Sequence, residues 1–150
     1  MITKTRIAFN VRTALENLQC KYQEWPEDMM GLCAIAAVEL AIQFRNHGYE
    51  ARAVWGTIEG EWGDHCWVEC DGEIWDLTAE QFGNDDPIFR TTYNDPCWRY
   101  REYRDDDEVW GKKPKPGTDI SKNYKVKLKS WPSYQRPQPR FTKVLRNSGV

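Results

Sequence analysis

Asp71-Gly72 stands between two short strand-like runs, His65–Cys70 (HCWVEC) and residues 73–77 (EIWDL). Asp-Gly between such runs is the strongest short hairpin signal a sequence offers, because the matching tight turn needs positive φ at both central residues. A two-residue turn also sets the register. Cys70 then faces Glu73, and Trp67 faces Asp76. His65 lies two residues before Trp67, so it projects from the same face as Asp76, on the diagonal. Diagonal neighbours are about 7–8 Å apart at the backbone, within reach of an imidazole–carboxylate hydrogen bond. The hairpin thus predicts an orienting pair, in which the carboxylate selects the imidazole tautomer and stabilises the imidazolium. Cys66 and Cys70 share the opposite face, which reads as core.

The residues before the hairpin read as two helices and a strand. Ile7, Val11, Leu15 and Leu18 recur at steps of four and three, the apolar stripe of a helix. Trp25-Pro26 ends any helix there, since the residue before Pro avoids the helical region. A second helix starts near Gly31 and runs through Cys33 to Phe44; it is apolar on most of its circumference and should be largely buried. Asn46-His47-Gly48 closes it with a basic last turn and a Gly in the C-terminal cap. Ala51–Ile58 (ARAVWGTI) reads as a strand and residues 59–64 as a loop. After Phe82 the pattern weakens: 83–87 is a turn and 105–108 an acidic, solvated loop. Five of the eight prolines lie beyond Lys112, so extended segments are expected there, with one strand near 124–128 (YKVKL). No internal repeat is visible. The expected fold is α+β, a Cys33-bearing helix packed on an antiparallel sheet made of the 51–58 strand and the hairpin.

Composition narrows the class. With 150 residues the chain is one domain's worth and can bury a real core. Hydrophobic residues at 40% and aromatics at 13% exclude a disordered or collagen-like chain. No apolar run approaches a membrane span, and the first residues lack the pattern of a signal peptide. Five Cys is an odd number, so the thiols are read as reduced and the protein as cytoplasmic. The net charge of -2 hides an asymmetry. Residues 110–150 carry eight Lys and three Arg against Asp119 alone, a net of +10, while residues 1–109 net -12. The chain divides accordingly into an acidic body, 1–110, and a basic, Pro-rich extension, 111–150. That extension is expected to lie on the acidic body or to be solvated. A nucleic-acid partner is disfavoured, because no nucleic-acid motif accompanies the charge.

A base and its orienter need a nucleophile. Cys33 sits at the start of a buried helix, where the N-terminus favours negative charge and lowers a thiol pKa. Gly31 lets the chain turn sharply into that helix. The other cysteines lack this setting: Cys20 ends a helix, Cys97 lies in a loop, and Cys66 and Cys70 are core. Each of Cys33, His65 and Asp76 alone is weak evidence, since a helix-start Cys is more often a small buried hydrophobe. Their order and compatible faces make the joint pattern stronger. His47, in a helix cap, reads as structural.

Three stretches carry a family resemblance: Gly31-Leu-Cys-Ala-Ile-Ala, Asp64-His-Cys-Trp-Val-Glu, and Ile74-Trp-Asp-Leu-Thr-Ala-Glu-Gln-Phe82. Together they resemble the transglutaminase-like branch of the papain-like cysteine enzymes, over about residues 28–83. The resemblance implies a papain/transglutaminase-like fold with Cys33 as nucleophile, His65 as general base and acid, and Asp76 as orienter. It implies a thiol hydrolase or acyltransferase acting on an amide, isopeptide or thioester bond of a protein or peptide, without metal or other cofactor.

The oxyanion donor stays open among the Cys33 backbone N–H, the Trp25 indole and Gln81, the last also readable as an ordinary turn residue. Trp25, Trp62 and Trp67 are candidates to wall the cleft, each against the alternative of core packing. Other classes compete with this reading. A zinc site at Asp64, His65, Cys66 and Cys70 is disfavoured because His65 and Cys66 point to opposite faces. A single-strand binder using the basic extension with Trp131, Tyr134 and Phe141, and an inert adaptor that keeps the enzyme scaffold, are the remaining alternatives.

Overall fold

The computed structural model describes residues 2–21, 32–104 and 117–121; Trp25, Gly31, the acidic run at 105–108 and the strand expected near 124–128 lie outside them. Among the described residues are two helices, α1 (Lys4–Lys21) and α2 (Cys33–Asn46), and five strands, β1 (Ala51–Ile58), β2 (His65–Cys70), β3 (Glu73–Asp76), β4 (Phe89–Thr91) and β5 (Tyr100–Glu102). The architecture is α+β. The sheet has the order β4-β3-β2-β1-β5, and every pair in it is antiparallel.

The hairpin forms as its turn chemistry requires. Asp71 and Gly72 both adopt positive φ, 52° and 78°, and Cys70 pairs with Glu73. Lys4 ties the turn to the first helix, reaching Glu73 at 3.1 Å and Asp71 at 3.3 Å. β3 ends at Asp76, one residue short of the expected run.

Alternation along the strands separates two apolar layers. Ala53, Cys66, Val68, Cys70 and Trp75 pack with Ile7, Val11 and Leu15 of α1 and Val38, Leu40 and Phe44 of α2. On the other face Val54, Ile58, Trp67, Ile74 and Tyr100 form a second cluster, with Phe82, Phe89 and Trp98 against it. α2 is therefore buried along most of its length, as its sequence predicts. Gly56 permits the second cluster to close: a Cβ there would meet the Arg101 carbonyl oxygen at 2.1 Å and Trp67 Cη2 at 2.4 Å.

Two long-range ties hold the frame. Arg12, buried on α1, donates to the Leu77 carbonyl at 2.8 Å and the Pro87 carbonyl at 3.3 Å, and pairs with Glu80. It thereby clamps the segment that follows Asp76. Residues 117–121 lie along β1 beyond its pairing with β5. There Asp119 accepts from the Ala53 N–H at 3.1 Å and from Arg45 at 2.9 Å, and the Ile120 N–H donates to the Ala53 carbonyl. This short piece is the described part of the basic extension, and Ile120 is buried in the helix-side core. Among the described residues, no helix is long and apolar enough to cross a membrane.

Candidate active site

α2 begins at Cys33, with Leu32 at its N-cap; a leucine side chain offers no acceptor to the first-turn amides. The helix starts over the first residues of β2. Cys33 therefore meets both His65 and Cys66, although these two project from opposite faces of the strand: both lie close enough to act on its thiol. His65 Nε2 lies 2.6 Å from Asp76 Oδ2, with both side chains fully buried. The candidate nucleophile, base and orienter are thus brought together by the start of one helix and two strands of one hairpin.

Asp76 is held on every side. Tyr100 Oη donates to Oδ2 at 2.7 Å. Oδ1 accepts from the Thr78 backbone N–H at 2.9 Å and from its hydroxyl at 3.3 Å. Burial alone would raise the Asp76 pKa, but the His65 charge and hydrogen bond, with those of Tyr100 and Thr78, hold it below the ordinary carboxylate value. Tyr100 is in turn kept protonated, its pKa raised by burial and by the carboxylate beside it.

The base and the nucleophile shift in opposite directions. Burial pushes His65 down, but the Asp76 charge and hydrogen bond, then the Cys33 thiol, raise it to about 10. Cys33 is held well below the ordinary thiol value, first by the hydrogen bond from Cys66 and then by that from His65 and its charge; burial opposes both. Cys66 moves the other way, raised by its bond to Cys33 and by burial. These directions favour charge on Cys33 and His65 and a neutral Cys66.

Gln81, on the 3-10 turn Ala79–Phe82, brings its amide to 3.2 Å from His65 Nδ1, the ring nitrogen that Asp76 leaves free. With the ring neutral, the Gln81 N–H donates to Nδ1. Phe82 stands edge-on to the imidazole, ring centroids 4.7 Å apart. Trp67 does not wall a cleft. It is fully buried behind His65, 6.3 Å from it between ring centroids, and its indole N–H goes to Tyr93 Oη at 3.1 Å. A residue with no exposed surface cannot touch a substrate, so its role is to hold the imidazole from inside. Trp62 is 91% exposed on the loop between β1 and β2. Trp25 lies outside the described residues.

Tyr100 and Thr78 are the site residues that sequence reasoning missed. Thr78, two residues beyond Asp76, was open to discovery: an Asp accepting from the backbone two residues on is a known local motif. Tyr100 gave no local signal. Among the described residues, no group of three or more His, Cys, Asp or Glu is placed to hold a metal ion. No family model, curated protein or solved structure matches the chain at a significant level.

Proposed function

We propose that the protein is a thiol-dependent hydrolase or acyltransferase of papain/transglutaminase-like type, acting on an amide, isopeptide or thioester bond of a protein or peptide. One observation carries this reading: Cys33, at the start of α2, lies beside His65, which bonds at 2.6 Å to a buried Asp76. In this reading the Cys33 thiolate attacks the acyl carbonyl and the oxyanion is met by the Cys33 N–H and its neighbours in the first turn of α2. The His65 imidazolium protonates the leaving amine or thiol. Neutral His65 then activates the water or amine that resolves the thioester. Gln81, beside His65 Nδ1, is a candidate second oxyanion donor.

The test is acyl-enzyme trapping. The protein is incubated with an activated ester and with a peptide thioester, and read by intact and peptide mass. The reading predicts an adduct on Cys33, absent in Cys33→Ala and formed about 10²–10⁴-fold more slowly in His65→Ala. Adducts spread over several cysteines at equal rates in the native protein would overturn it.

A further inference from the structure

Cys66 is not used by this chemistry, yet it is the neighbour that acts most strongly on the Cys33 thiol, and Cys33 packs against the core cluster that holds it. Its setting is unusual for a core cysteine. It is only 3% exposed and lies in the helix-side core, and the partly buried Cys33 packs against that same cluster. Cys66 is shielded from an outside thiol or oxidant, whereas Cys33 is partly exposed. Both sulfurs are free in the structure.

We propose that Cys33 and Cys66 form an oxidisable pair, in which a hydroperoxide converts Cys33 to a sulfenic acid and Cys66 resolves it to an intramolecular disulfide. The inference rests on Cys33 being the thiolate nucleophile of the proposed function. In the first step the Cys33 sulfur attacks the distal oxygen of the hydroperoxide. An S–O bond forms, the O–O bond breaks, and the departing alkoxide or hydroxide takes the proton held by His65. In the second step the Cys66 sulfur attacks the Cys33 sulfur. An S–S bond forms, the S–O bond breaks, and the hydroxide leaves with the Cys66 proton as water. The two sulfurs together lose two electrons, and the hydroperoxide is reduced. The raised Cys66 pKa keeps it a poor nucleophile toward other targets, so it acts only where proximity supplies the advantage. The disulfide protects Cys33 from irreversible oxidation and silences it until a dithiol restores both thiols.

The experiment treats the reduced full chain with hydrogen peroxide, blocks remaining thiols in denaturant, and maps peptides without reduction. The proposal predicts a linked Cys33–Cys66 peptide, abolished by dithiothreitol, while Cys70 stays alkylatable. In Cys66→Ala, Cys33 should advance to sulfinic and sulfonic acids instead. Irreversible oxidation of Cys33 in wild type, with no linked peptide, overturns the proposal, and the wild-type result decides even if Cys66→Ala does not fold. Iodoacetamide labelling of the reduced sample separates the two readings. Fast labelling of Cys33 without a disulfide overturns the resolving role alone; slow labelling overturns the nucleophile as well.

Discussion

Tyr100 Oη donates at 2.7 Å to the same Asp76 oxygen, Oδ2, that His65 Nε2 approaches at 2.6 Å. The carboxylate is thus shared between the His65 imidazole and a protonated phenol from the opposite edge of the sheet. Tyr100→Phe keeps the ring in its cluster but removes this donor. The loss should cost about 1.5–3 kcal/mol, the usual worth of a hydrogen bond to a charged group. Asp76 has a lowered folded pKa, so its stabilising contribution is present above the unfolded value and lost as pH falls through the folded one. Without Tyr100 the folded pKa rises, and acid unfolding of Tyr100→Phe should begin at higher pH than in wild type. Thermal melts from pH 2 to 7 read this directly; parallel acid limbs for the two proteins would refute it.

Asp76 is also what raises His65 to about 10. Acylation should rise with pH as Cys33 ionises and fall again as His65 loses its proton near 10. In Asp76→Asn the larger raising influence is gone while burial and the smaller influence of Cys33 remain, so the alkaline limb should move well down from about 10 toward the ordinary His value of about 6.5. Stability follows the same sign. A raised folded pKa stabilises fully below the unfolded value and the effect is lost as pH climbs through the folded one, so wild type should weaken between about pH 7 and 10. Asp76→Asn should not. Acylation rates and melts across pH 5–11 check both limbs, and an unmoved alkaline limb would contradict the assignment.

Arg12 reaches the Leu77 and Pro87 carbonyls and Glu80, and so anchors the segment carrying Thr78 and Gln81. Arg12→Met retains apolar bulk and removes every donor. It should destabilise by about 2–4 kcal/mol in urea denaturation, given the several hydrogen bonds lost around a buried position. Amide exchange at 78–83 should accelerate more than exchange in α2. Uniform acceleration across both would show that Arg12 is merely part of the general core.

The parts of the fold legible in the sequence are those set by neighbours. Asp71-Gly72 determines the hairpin turn, the turn determines the register, and the register places His65 beside Asp76 on the diagonal. The apolar stripe of α1 was equally open, with Ile7, Val11 and Leu15 all buried. β4 and β5 were not, because each has three residues, too few for alternation to show. Tyr100 escaped for that reason and because it contacts Asp76 from 24 residues further on. Arg12 gave no local signal, since its carbonyl partners lie 65 and 75 residues away. Cys66 was read correctly as core by strand alternation. Alternation, however, describes the faces of a strand and not what crosses its end, and there α2 brings Cys33 over both His65 and Cys66.

The central claim is that His65 keeps Cys33 as a thiolate, and the pH dependence of iodoacetamide labelling, read cysteine by cysteine on wild type and His65→Ala, tests it most directly. Wild-type Cys33 should label faster than exposed Cys97 near neutral pH, with a midpoint well below the ordinary thiol value of about 8.5. His65→Ala should move that midpoint upward. Labelling of Cys33 no faster than Cys97, or a midpoint unchanged by His65→Ala, would contradict the account.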